Sequence, residues 1–167
     1  MWKKIEAAFR DFPAQRRVAA YLLEKGFQVK ENGKIACDGC DVPSTSIGRR
    51  LGVDRRVVDS TAKRILEDEE LKRVYGRLSP VAFLRDVAPE IGLGVISISV
   101  KDASVPGIIE QITDCIARNG VSIRQAIAED PYFSSEPKFT VITAERIQGS
   151  LVEELKNIEG INQITIY

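Results

Sequence analysis

Residues 93–123, LGVISISVKDASVPGIIEQITDCIARNGVSI, change their hydrophobic period twice. Ile96, Ile98 and Val100 alternate with Ser97 and Ser99, the period-two pattern of a half-buried strand. KDASVPG reads as a turn. Ile108, Ile109, Ile112, Cys115 and Ile116 then make one stripe at helical spacing, and Asn119-Gly120 stops the helix. VSIRQAIA (121–128) alternates again, which places Val121, Ile123, Gln125 and Ile127 on one side of a second strand.

The remainder completes the pattern. A proline-bracketed loop, EDPYFSSEP (129–137), leads to the strand KFTVITA (138–144). GSLVEELKNIEG (149–160) predicts a helix with Ser150 as cap and Leu151, Leu155 and Ile158 inward, and INQITIY (161–167) predicts a last strand. The order βαββαβ predicts a ferredoxin-like unit, two helices on one face of a four-stranded sheet in strand order 4-1-3-2. Its second strand lies at an edge, where Val121, Ile123 and Ile127 predict pairing into a homodimer or a larger even-numbered assembly.

Upstream the pattern is mainly helical, so the fold class expected for the whole chain is α+β. Pro13 in a first turn, Asp11 as cap and Gly26 as stop delimit a helix with Ala14, Val18, Tyr21 and Leu22 on one face. FQVKENGKIAC (27–37) predicts a small β-hairpin with a two-residue Asn32-Gly33 turn flanked by Glu31 and Lys34. CDGC (37–40) resembles half of a zinc site, but the chain has no histidine and no second cysteine pair. It reads as a glycine turn, and no metal is expected.

SIGRRLGVDRRVVDSTAKRIL (46–66) carries four arginines within eight positions. A helix beginning at Ser44 or Thr45 turns Ile47 and Leu51 inward. Gly52-Val53 makes a tight turn in which Val53 plugs the gap. Asp54 caps a second helix with Val58, Ala62 and Ile65 or Leu66 inward. This is the pattern of a helix-turn-helix. Arg55, Arg56, Asp59, Ser60 and Lys63 fall on the outward face, where a recognition helix presents base-reading side chains. Arg49 and Arg50 are placed to meet phosphates. A solvated or protein-docking face accounts for the same residues, and Asp59 repels phosphate unless it accepts from a cytosine amino group.

Charge separates the two patterns. Residues 1–78 hold 17 Lys and Arg against 12 Asp and Glu, a balance of +5, and residues 79–167 hold 7 against 12, a balance of −5. A basic module joined to an acidic one is expected: a helix-turn-helix domain over 1–78, a Gly/Pro-punctuated linker over 79–92 and the ferredoxin-like domain over 93–167. No apolar run is long enough to span a bilayer, and the start Met-Trp-Lys-Lys lacks the apolar segment of a signal peptide. Three cysteines, an odd number, make no disulfide framework, so a reducing cytoplasm is expected. With no histidine for acid–base work, no nucleophile–base pair and no phosphate loop, neither enzymatic activity nor a cofactor is expected.

KDASVPGIIEQITDCIARNGVSI, with its Asp-containing turn, Pro-Gly, helix and GVSI strand, resembles the ACT domain, and the likeness spans 93–167. Together with the helix-turn-helix, the chain resembles archaeal predicted regulators of amino-acid metabolism that carry an ACT domain. The resemblance implies side-by-side pairing and an amino-acid effector bound between protomers. The function it implies is an amino-acid-responsive transcriptional regulator that binds DNA. The alternative is an ACT-type regulatory subunit that controls a biosynthetic enzyme through protein contacts. The residues themselves suit such a ligand. The N–H groups of Gly107, Ile108 and Ile109 at a helix start favour a carboxylate, Pro106 is tolerated in a first turn, and Asp102 takes an ammonium. The expected site is thus the loop with Asp102, Val105, Pro106, Gly107, Ile108 and Ile109 of one protomer against Ser122 and Arg124 of its mate. Ser122 stands where many ligand-binding ACT domains have Asn.

Overall fold

The computed structural model describes residues 2–132 and 134–167. Met1, and Phe133 in the expected 129–137 loop, lie outside the described residues. The chain divides into two units, Met1–Ala82 and Phe83–Tyr167. Among the described residues no helix is long and apolar enough to cross a membrane.

The first unit runs α1 (Trp2–Ala8), α2 (Pro13–Glu24), β1 (Gln28–Val29), β2 (Ile35–Cys37), β3 (Cys40–Val42), α3 (Ser44–Leu51), α4 (Arg55–Glu67) and α5 (Glu69–Tyr75). Its core gathers one apolar stripe from each helix: Ile5 and Phe9, Val18 and Leu22, Ile47, Val58 and Ile65, Leu71 and Tyr75. The buried Tyr75 hydroxyl donates to Ala19 O at 3.0 Å.

Two local expectations are corrected here. Asp11 does not cap α2: Pro13 is the first helical residue, so the cap position falls to Phe12, one residue later, and no side chain caps the helix. The first hairpin turn is also longer than two residues. Lys30 N–H donates to Lys34 O and Gly33 N–H to Lys30 O, both at 2.8 Å, so Glu31, Asn32 and Gly33 form the loop, with Gly33 at φ 79°. The two-residue turn lies one hairpin later. Cys37 pairs with Cys40 across Asp38-Gly39, both at positive φ (45° and 81°), the mirror-image turn that suits strand twist.

The second unit opens with a 3₁₀ turn, Pro89–Ile91, followed by β4 (Gly94–Val100), α6 (Ile108–Arg118), β5 (Ile123–Ala128), β6 (Lys138–Thr143), α7 (Gly149–Lys156) and β7 (Ile161–Ile166). The sheet order is β5-β6-β4-β7 with every neighbour antiparallel, which is the ferredoxin-like arrangement with β5 at an edge. Ile96, Ile98 and Val141 pack against Ile112, Ile116 and Leu155 of the helices. Gln148, not Ser150, holds the cap position of α7.

The face away from the helices is covered as well. Ala88 is buried with Val95 and Ile142, and Leu84 and Leu93 pack against them. Residues 83–92, expected as linker, therefore belong to this unit, because the sheet's second face is apolar enough to hold them. Ser97, expected on an open face, is 2% exposed and shares a 2.8 Å hydrogen bond with Thr140 Oγ1. The alternation in β5 also breaks. Ile123 pairs with Thr143 and Gln125 with Ile142, so Arg124 is an extra residue in a bulge. Ile123 packs toward the helices, whereas Gln125 Oε1 accepts from Leu84 N–H at 3.0 Å on the other face.

Candidate functional site

The turn between α3 and α4 is fixed by two glycines and two caps. Gly52 takes the left-handed conformation at φ 64°, and Val53 N–H donates to Gly48 O at 2.9 Å. A Cβ on Gly48 would sit 2.7 Å from Val53 O, so close backbone approach requires glycine there. Asp54 Oδ1 accepts from Arg56 N–H at 2.8 Å and caps α4 as expected, and these bonds from Arg56 hold the Asp54 carboxyl below its ordinary pKa. Arg17 Nη2 donates to Leu51 O at 2.7 Å, closing the end of α3. Ile47, Val58, Ala62 and Ile65 are buried, and Leu51, Val53 and Leu66 pack partly against them.

The outward side chains fall into two groups. Arg49, Arg50 and Arg55 are exposed and form no ion pair within 4 Å among the described residues, although the Arg55 charge also acts on Asp54. Arg56 Nε lies 3.2 Å from Asp54 Oδ1, and Lys63 Nζ lies 3.9 Å from Glu67 Oε1. Ser60 differs from both: its hydroxyl donates to Val57 O at 3.0 Å and accepts from Gln15 Nε2 at 3.1 Å. Gln15 Oε1 in turn accepts from Arg64 Nε at 2.9 Å, and the Arg64 guanidinium lies 3.8 Å from the Phe12 ring centroid. Gln15 and Phe12, at the start of α2, thus flank α4, a contact between distant segments that periodicity does not announce. The hairpin tip flanks it too: Asn32, Lys34, Ser44, Asp59 and Lys63 line a groove of about 500 Å³.

In the second unit the loop after β4 is held by its own aspartate. Asp102 Oδ1 accepts from Ser104 N–H at 2.9 Å and Ser104 Oγ at 2.6 Å, and the Ser104 hydroxyl, then its N–H, keep the Asp102 carboxyl below its ordinary pKa. Gly107 at φ 91° is the residue before α6, so Pro106 precedes the helix rather than lying in its first turn. A Cβ on Gly107 would have 4.0 Å to its nearest neighbour; its conformation calls for glycine, not crowding. The first N–H of α6 to find a carbonyl is that of Gln111, bonded to Gly107 O at 3.0 Å, which leaves those of Ile108, Ile109 and Glu110 at the open end.

A cavity of about 300 Å³ lies beside this loop, lined by Val100, Lys101, Asp102, Val105, Ile108, Gln111, Glu159 and Gly160. It takes in Asp102, Val105 and Ile108 of the expected set. Ile109 instead borders a crevice of about 50 Å³ with Ala103, Ile112 and Phe139. Ser122 and Arg124 lie at the Gly94 end of the sheet, since Ile123 pairs with Thr143 and Thr143 with Gly94, whereas the loop follows Val100 at the opposite end. One chain does not bring them together. Gln111 was discoverable as the residue one turn beyond Gly107; Glu159 and Gly160 come from a distant turn with no local signal. Among the described residues no group of three or more His, Cys, Asp or Glu could hold a metal ion.

The two units define an α+β chain with the cation-bearing α3–α4 pair in one and a ferredoxin-like sheet with a loop-side cavity in the other. No family model matches the chain, and no curated protein matches it. Among solved structures it is similar to the crystal structure of the ACT domain from the GTP pyrophosphokinase of Chlorobium tepidum. The identity is 18%, covering 46% of this chain and 97% of that one, with a TM-score of 0.37.

Proposed function

We propose that this chain is an amino-acid-responsive DNA-binding regulator. The observation that carries the reading is the turn fixed by Gly48 and Gly52, flanked by Arg49, Arg50 and Arg55, three exposed guanidiniums that form no ion pair within 4 Å among the described residues. Exposed guanidiniums without a close ion pair on a fixed helix pair suit phosphate oxygens and guanine edges, and the exposed pairs of Arg56 and Lys63 are weak enough for phosphate to replace. Ser60, bonded to Gln15, acts by positioning α4. In the second unit, the open N–H groups of α6 serve a carboxylate, and Asp102 Oδ2 with Glu159 serves an ammonium. The ACT resemblance of KDASVPG to GVSI adds a dimer in which Ser122 and Arg124 of the mate complete the pocket.

The experiment is fluorescence anisotropy of the full chain on a duplex from its own upstream region, stepped in salt. Affinity is expected to fall steeply with salt as counterions are released, Arg49→Ala to weaken all sequences alike, and Arg55→Ala to erase sequence preference. An effector acting between two states is expected to shift affinity roughly 5- to 150-fold. Absence of binding at low salt sinks the DNA reading. It would favour the docking of an enzyme partner on the same surface, a reading supported by the prior engagement of Ser60, Arg56 and Lys63.

A further inference from the structure

Cys37 and Cys40 have no part in either site, yet the hairpin sets them directly opposite one another. Opposed residues of neighbouring strands carry their side chains on the same face of the sheet. Their Cα atoms lie about 5.5 Å apart in a hydrogen-bonded antiparallel pair, a separation that disulfides span. The alignment comes from the Asp38-Gly39 turn and does not depend on any bond between the sulfurs. Both cysteines are free thiols, Cys40 exposed and Cys37 partly so.

We propose that Cys37 and Cys40 form a reversible redox modification site, closed to an intrachain disulfide by a small disulfide of the glutathione class. The Cys40 thiolate, the more accessible, attacks one sulfur of the small disulfide. A mixed disulfide forms and the first small thiolate leaves. The Cys37 thiolate then attacks the Cys40 sulfur, the Cys37–Cys40 bond forms, and the second small thiolate leaves. Two electrons and two protons pass from the protein to the small disulfide, which becomes two thiols.

Reversibility follows from the setting. The loop closed is among the shortest, so little chain entropy favours the bond, and an exposed disulfide is open to reduction by the same thiol pool. A closed zinc site needs four ligands and, among the described residues, no third joins the pair, whereas a disulfide needs only these two. The bond would tie β2 to β3, and β3 leads through Pro43 directly into α3.

The test equilibrates the full chain in glutathione buffers of rising oxidised fraction, quenches with acid, alkylates, and digests with trypsin. Residues 35–49 emerge as one peptide containing both cysteines and excluding Cys115. It is expected to pass from doubly alkylated to an unalkylated form lacking two hydrogens, and to return when reduced glutathione is restored. Cys37→Ser and Cys40→Ser should each stop at a single glutathione adduct. The proposal is overturned if the peptide stays doubly alkylated throughout, if it halts as glutathione adducts without closing the ring, or if bound zinc shields it until a chelator is added.

Discussion

At the scale of single residues, Gly107 shows how position changes a reading. As a helix-opening residue it would accept many side chains; as the cap at φ 91° it would not. Because the space around it is open, Gly107→Ala is expected to cost about 1–2 kcal/mol from left-handed backbone alone. Gly107→Asn should cost less and Gly107→Val more, a ranking that urea denaturation of the three variants checks. Asp41 offers a pH signature. Hydrogen bonds from Lys30 and Lys34, at 2.8 Å each, lower its carboxyl from 3.8 to about 2. A depressed carboxylate contributes stability at pH above its unfolded value and loses that contribution as pH falls through the folded one. The Asp41 contribution should therefore fade between about 3.8 and about 2. Asp41→Asn should flatten the stability profile in that window and lower it near neutrality, where the Asp41 contribution is fully present, as urea denaturation stepped in pH reads.

At the scale of elements, strand and helix identities were legible wherever one periodicity ran unbroken, as in α4, α6 and β4. β5 was legible as a strand but not as a surface. The bulge at Arg124 moves Gln125 to the opposite face from Ile123, and a period-two reading has no means of seeing an inserted residue. Deleting Arg124 would leave Ile123 against Thr143 and Gln125 against Ile142 in an ordinary ladder, so that variant is expected to fold with a nearly unchanged melting temperature. Deleting Ala126, inside the regular part of β5, should turn every later side chain to the wrong face and unfold the second unit. Circular dichroism melts of the two deletions decide it. The bounds of α1 were not legible because Ile5, and Phe9 just beyond the helix end, are too few to establish a period, although both end in the core.

At the scale of the whole molecule, each unit owns a core, and the boundary follows the packing rather than composition. Gln28 Nε2 donates to Leu78 O at 2.6 Å, and Gly26 abuts the backbone of Ser79 and Pro80, so the chain through about residue 80 belongs with the helices. Phe83 onward belongs with the sheet. Fragments 1–82 and 83–167 are each expected to fold alone. A fragment starting at residue 93 would strip Leu84 and Ala88 from Val95 and Ile142, and should be less stable than 83–167 by about 2–4 kcal/mol, the scale of losing large apolar groups from a core. Guanidinium unfolding of the two fragments measures the difference; equal midpoints would show that 83–92 is a linker after all.

The sequence by itself determined the two-part organisation, the strand–helix order, the ferredoxin-like topology and the Asp54-capped pair of helices. Each is written in local periodicity, turn chemistry or capping, which act over a few neighbouring residues. Only the tertiary structure decided that residues 83–92 cover the sheet, that Ser97 is buried, that Gln15 holds Ser60, and that Glu159 and Gly160 complete the cavity beside Asp102. Those features depend on which distant surfaces meet, and burial and hydrogen-bond satisfaction are settled only when the elements pack.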